Sequence, residues 1–384
     1  MSGRRRAELD GLRGVAVVLV VAAHALSRAV GEDGLLAKVL LVPAIGGIGV
    51  TVFFVLSGYL ITSILHREHT RTGRIRLGNF YLRRLLRIVP AFYVMVATVA
   101  VLGAVGLVAV GPGQVASAAA FVWDYSPAAN GWWLGHSWSL SIEEQFYLLW
   151  PVGLLLMGAR RACRFAVATL LATPVVRVLS YLLLPGGHSH AWMMFHARSD
   201  ALLLGCFLAL APSAYPAVWA RLERLAQLRR TEVTAVLVLV ASSVLEGQLG
   251  GYWVMPFGYS LDALAAGALL TVVVARTAPS TLTRAVRWRP LVALGLVSYS
   301  LYLWQQLFLP PRGTPALPHV DSGSLAVPTA LAAAVLSYLL VEKPFLALKD
   351  RRQRRVVPLG PTAALGGAAG LDGPAAPATS GGPV

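Results

Sequence analysis

Charge is scarce in this chain and cysteine scarcer still. Asp, Glu, Lys and Arg together make up 13% of its 384 residues, about half of what a soluble domain carries, which excludes an ordinary water-soluble globule. The two cysteines, Cys163 and Cys206, lie in or beside apolar segments and support neither a disulfide framework nor a zinc site, so no metal is expected. Ser57 stands in an apolar run without a Gly-x-Ser-x-Gly elbow, which disfavours a serine nucleophile there. Acidic residues number 17 against 33 Lys and Arg. That excess is spread in short clusters between apolar spans, the pattern of membrane topology, so no nucleic-acid partner is expected.

Hydrophobic residues make up 57% of the chain, and their runs predict an all-α, polytopic membrane helix bundle set in the lipid bilayer. Ten spans can be placed, at about 11–30, 45–65, 88–110, 138–158, 163–184, 197–214, 231–246, 254–275, 291–310 and 325–345. Residues 114–124 are apolar but too short to cross, and read as a re-entrant or surface half-helix. The N-terminus imitates a signal peptide, with Arg4-Arg5-Arg6, an apolar run and Ala23-His24-Ala25. Arg13 interrupts that run and many spans follow, so it reads as an uncleaved first span. Of the 33 Lys and Arg residues, 27 fall at the ends and in alternate loops, whereas the opposite loops hold only Arg28, Lys38, Arg198 and Arg312. The positive-inside rule then places both termini in the cytoplasm and Asn130 outside, in a multi-pass protein of the cell membrane. Residues 1–346 form the membrane domain. Residues 347–384, basic and then rich in Gly, Pro and Ala, read as a disordered cytoplasmic tail. No soluble second domain is expected.

The chemistry centres on the first span. Arg13 and His24 are eleven residues apart, with only Gly, Ala, Val and Leu between them. Eleven residues make almost three helical turns, so both side chains share one face, roughly 16 Å apart along the axis. An ionisable residue inside a span is rare and expensive, and marks a functional site by default; the competing reading is a histidine hydrogen-bonded inside the bundle. In the basic segment 74–87, Arg84 and Arg87 are i, i+3 neighbours, suited to grip a phosphate-bearing ligand or to anchor the chain to anionic lipid. Ser57-Gly58 allows close helix approach and supplies an interhelical hydroxyl. Ser141 and Glu144 have the spacing of a capping box. Glu143, on a different side of that helix with Tyr147 and Trp150, is placed to orient His24 or to hold a substrate hydroxyl. Asp200 and Asp262 are ranked below it, as partners for nearby arginine or hydroxyl groups. Ser298 and Tyr302 share a face of the ninth span.

Together these residues resemble the membrane acyltransferase-3 family, which O-acylates sugars of bacterial surface polysaccharides and of glycosylated natural products such as macrolides. The resemblance covers residues 7–346. It rests on Arg13/His24, the Phe-Phe-x-Leu-Ser-Gly-Tyr run at 53–59, and Arg84/Arg87. It rests equally on Trp138-Ser139-Leu140-x-x-Glu143-x-x-Phe146-Tyr147 and on the Ser-Tyr-Ser-Leu-Tyr-Leu-Trp run at 298–304. Many members carry His after that last Trp; here Gln305 stands there, which shifts weight onto His24. The resemblance implies an integral-membrane O-acyltransferase using acyl-CoA, acetyl-CoA first among candidates, with a hydroxyl of a sugar or glycoside as acceptor. Arg84 and Arg87 would hold the cofactor's phosphates, with Arg13 along its path. His24 would act as general base or transient acyl carrier, and Ser57, Trp138, Ser139, Tyr147, Ser298 and Tyr302 would line the site. The short chain favours a natural-product acceptor over a polymer. The alternative is a transporter or flippase of a glycoconjugate, against which the two halves show no matching pair of interrupted spans.

Overall fold

In a membrane every backbone N–H and C=O must be satisfied internally, so the apolar runs can cross only as helices. The computed structural model describes residues 3–31, 42–184, 190–314 and 323–348 and shows a helical bundle among them. The tail expected from residue 347 falls, from 349 onward, outside the described residues, as does Lys38. In chain order the helices are α1 (Gly3–Val30), α2 (Val42–Thr72), α3 (Leu77–Ala104), the eight-residue α4 (Pro112–Ala119) and α5 (Ser137–Leu183). They continue with α6 (Phe195–Ala214), α7 (Pro216–Gln227), α8 (Arg229–Leu249), α9 (Tyr259–Ala275), the short α10 (Thr281–Val286), α11 (Arg289–Phe308) and α12 (Gly323–Ser337).

Among the described residues nine helices are long and apolar enough to cross a membrane. The tenth expected span is inside α5. Its 47 residues would make one rod of about 70 Å, more than twice the hydrocarbon thickness. Instead, Gly158 takes φ 70°, ψ 169°, a region open essentially to glycine alone, and the chain doubles back. Near the start of α5, Ser141 Oγ accepts from the backbone N–H of Trp123 at 3.2 Å. Near its end, Ser180 Oγ bonds His196 Nε2 at 2.9 Å, and the other nitrogen of that ring meets Tyr125 Oη at 2.8 Å. Both ends of α5 therefore lie beside residues 123–125, and the element is two antiparallel arms, 137–157 and 159–183.

The half-helix expected at 114–124 appears as α4 and a 3-10 turn, Trp123–Tyr125. Eight residues of α-helix rise only about 12 Å, so α4 does not cross.

The centre of the bundle is α1, α2, α6, α9 and α11. Where α2 meets α6 the backbones touch: a Cβ on Gly58 would stand 1.8 Å from the carbonyl oxygen of Leu202, and one on Gly205 2.1 Å from that of Val55. The close approach expected of Ser57-Gly58 is thus present, and dispersion between the facing backbones holds it. The second arm of α5 and α8 instead turn Leu171, Leu183 and Leu237 outward, a surface suited to lipid tails. At one end of the bundle Arg83 meets Glu68 at 3.6 Å and Arg276 meets Glu232 at 2.9 Å. A cavity lies at the opposite end.

Candidate active site

Two polar groups of side chains lie at different depths along α1. The deeper one, toward the arginine-rich end, surrounds Arg13. Its Nη1 donates to Asp10 Oδ1 at 3.1 Å, and 23% of the side chain remains exposed. Helix α3 runs unbroken from Leu77, which turns Arg84 inward while Arg83 leaves for Glu68. The Arg84 guanidinium lies 5.4 Å from the Tyr147 ring centre and 5.8 Å from that of Phe80, cation–π contacts that hold its plane. Ser57 and Tyr147 share a hydrogen bond. Glu143 faces both of these hydroxyls, in the field of Arg84 and Arg13, and Arg87 lies close enough to repel Arg13. Arg13, Ser57, Arg84, Arg87 and Glu143 are all half-buried rather than sealed. A concentration of guanidinium charge in a half-buried setting is held at an electrostatic cost that an anionic ligand removes.

The second group lines a cavity of about 500 Å³. His24 lies on its wall. The Nδ1–H of the ring donates to Gln305 Oε1 at 2.6 Å, and the indole of Trp132 packs edge-on against it, ring centres 4.8 Å apart. Gln306 holds a second imidazole: its Oε1 accepts from the backbone N–H of His136 at 2.9 Å and from His136 Nδ1. Trp132 Nε1 donates to the carbonyl of Gln306 at 2.6 Å. Burial pushes the His136 imidazole down to about 4, with the nearby His24 adding in the same direction, so this ring is neutral at pH 7. Trp138, Trp192, Tyr181 and Tyr259 supply aromatic wall, and Arg198 and Glu246 supply charge. Arg198 is 2% exposed, stacked 3.8 Å over the Tyr259 ring, with Nη2 donating to Thr51 Oγ1 at 3.1 Å. Asp200 pairs with Arg177 at 2.7 Å and accepts from Ser260 at 2.7 Å, the partner types expected for it.

The residues named from the sequence thus divide. Arg13, Ser57, Arg84, Arg87, Glu143 and Tyr147 meet in the deep cluster; His24 and Trp138 belong to the cavity. Ser139 and Tyr302 join α5 to α11 by a hydrogen bond, and Ser298 donates to the carbonyl of Gly295 in its own helix at 2.9 Å. Two expectations change. Glu143 engages Ser57 and Tyr147, and Gln305 is the residue hydrogen-bonded to His24 Nδ1. The capping box is also absent: α5 begins at Ser137 with His136 as its cap. Ser141 is therefore inside the helix, where its hydroxyl donates to Ser137 O at 2.9 Å. Sequence reasoning passed over His136, Gln306, Trp132 and Arg198. The only sequence signal for the first three was polar residues crowded at span ends.

Among the described residues no three His, Cys, Asp or Glu side chains gather as a metal site. Outside the spans, burial raises Asp124 to about 6, although Gln145 donates to its Oδ1 at 2.8 Å.

A membrane bundle with a cationic cluster and a histidine-bearing aromatic cavity has the build of an integral-membrane enzyme. Comparison with known proteins agrees on class: residues 6–342 match the family described as an acyltransferase domain, acyltransferase-3, and the chain belongs to that family. The putative peptidoglycan O-acetyltransferase YrhL of Bacillus subtilis is 32% identical over 373 residues, covering 88% of this chain and 54% of the relative. The peptidoglycan O-acetyltransferase OatA of Listeria monocytogenes is 28% identical, covering 88% and 55%. The O-acetyltransferase OatA of Staphylococcus aureus is also 28% identical, covering 77% and 49%. The chain spans about half the length of these relatives. No solved structure matches it.

Proposed function

We propose that this protein transfers an acetyl group from acetyl-CoA, bound at the arginine-rich end, to a sugar hydroxyl in the aromatic cavity. The supporting observation is the two-level arrangement on α1, with Arg13 in a cationic cluster and His24 in a cavity roughly 16 Å further along. Arg84 and Arg87 grip the phosphates of the donor, Arg13 lies on the path of the pantetheine arm, and the arginine-rich end faces the cytoplasm. With Nδ1–H donated to Gln305, the basic lone pair of His24 is the one on Nε2. It takes the proton of the acceptor hydroxyl as that oxygen attacks the thioester carbonyl. The C–S bond breaks, and the thiolate of CoA leaves with the proton that His24 took from the hydroxyl. Aromatic walls suit the apolar faces of a sugar ring, and the names of the relatives point to a carbohydrate acceptor.

Purified protein in lipid nanodiscs, given acetyl-CoA labelled in the acetyl group and methyl β-glycosides of glucose and N-acetylglucosamine, tests this. Alkali-labile label on a glycoside, absent with His24→Ala, is the expected result. Label that stays on CoA with the wild-type protein overturns the reading.

A further inference from the structure

His136 is the second imidazole of the cavity and has no part in the proton transfer just described. The residue is 3% exposed, is among those lining the cavity with His24, and has one ring nitrogen with a fixed role. A backbone N–H can only donate, so the Gln306 atom 2.9 Å from the nitrogen of His136 is the amide oxygen. That same oxygen is bonded to His136 Nδ1, which must therefore carry the ring proton. The tautomer follows: Nε2 holds the lone pair. That Nε2 is buried and has no hydrogen-bond partner among the described residues. A buried acceptor left unpaired bears its full desolvation penalty, so native structures retain few of them without a reason.

We propose that His136 Nε2 is the docking point for a hydroxyl of the acceptor sugar, accepting its hydrogen bond while His24 deprotonates a second hydroxyl. The acceptor class is then a sugar with at least two free hydroxyls, one acylated and one held. Neighbouring residues Gln305 and Gln306 set the two rings, each orienting one imidazole. Because His136 stays neutral at pH 7, it accepts without competing for the proton that His24 takes. The assignment rests on the acetyl transfer proposed above and extends it to the group that positions the acceptor.

The two amide substitutions separate this role from a structural one. Glutamine places its oxygen near the position of Nε2; asparagine places its amide near Nδ1 and keeps the contact with Gln306. With the nanodisc assay and the same methyl glycosides, His136→Ala and His136→Asn are expected to raise the acceptor KM roughly three- to tenfold with the acetyl-CoA KM unchanged. His136→Gln recovers most of that loss. A 2-, 3-, 4- or 6-deoxy glycoside lacking the held hydroxyl should show the same penalty with wild type and none beyond it with His136→Asn. Full recovery by asparagine and none by glutamine overturns the assignment, leaving His136 as an anchor for Gln306. A loss confined to kcat in both amide variants also overturns it, since the ring would then be moving a proton. A wild-type protein that acetylates none of the glycosides overturns the proposed function and this assignment with it; an active wild type lets the variants judge His136 alone.

Discussion

The side-chain oxygen of Gln305 lies 2.6 Å from Nδ1 of His24, across 281 residues of sequence. A partner at Nδ1 decides which tautomer the ring adopts and therefore which nitrogen carries the basic lone pair. Gln305→Leu removes that partner and is expected to lower kcat roughly tenfold or more, a share of the 10²–10⁴ that general-base assistance supplies. Acetyl-CoA binding, measured by calorimetry on the same preparation, should not change.

His24 itself allows a sharper test. His24→Ala should abolish transfer while the protein inserts and binds acetyl-CoA, because the proposed phosphate site lies about three helical turns away. His24→Gln should be nearly as inactive, since an amide hydrogen-bonds but takes up no proton at neutral pH. Near wild-type transfer by a well-folded His24→Gln protein excludes the base role.

Arg84→Ala and Arg87→Ala should each weaken acetyl-CoA binding by about 1.5–3 kcal/mol where the contact is desolvated. Lysine should restore only part of it for want of the planar fork. Unchanged affinity in both alanine variants would leave these arginines as lipid anchors.

The carboxyl of Asp124 is 2% exposed and raised by burial from 3.8 to about 6. In the folded protein it keeps its proton to about pH 6; in the unfolded chain it loses it near pH 4. Between these values the native state binds more protons, so stability falls as pH rises through the window and stays lower above it. The difference between the folded and unfolded carboxyl corresponds to about 3 kcal/mol at most. Asp124→Asn, which keeps an oxygen for Gln145, should raise the melting temperature at about pH 7.5 and change it little at about pH 4. Equal effects at both values would place the cost elsewhere.

Orientation is open to direct labelling. Cys163 and Cys206 are buried, so the background is low. Maleimide applied to intact cells should label Asn130→Cys and spare Thr72→Cys. The reverse pattern would invert the proposed donor and acceptor sides.

What is legible in the sequence is whatever depends on local periodicity. Arg13 and His24 share a face because a helix repeats every 3.6 residues, and residues 114–124 stay a half-helix because they are too short to be anything else. Long-range pairing leaves no such mark. Gln305 reaches His24 and Gln306 reaches His136 only once α11 packs against α1 and the start of α5, and nothing periodic announces that. A carboxylate often serves a histidine, which favours Glu143 as the partner of His24 from sequence. The packing of α2 and α3 against α5 instead brings Ser57 and Arg84 to it, beside its own helical neighbour Tyr147. The capping box fails for a related reason: helix α5 starts one turn earlier than the Ser141/Glu144 spacing implies.

Gly158 is the entire connection between the arms of α5, and both arms reach the cavity at their far tips. The first arm carries Trp138 at its far end and the second carries Tyr181, both on the cavity wall. The arms rise about 31 and 37 Å, with Pro151 in the first and Pro174 in the second, and meet at one residue on the side remote from the cavity. With that leverage, a rotation of only about 5° at residue 158 would part the tips by nearly 3 Å, roughly the width of a water molecule. That junction lies among Arg160, Arg161 and Arg164, so the basic end of the bundle and the cavity end are the two ends of a single lever.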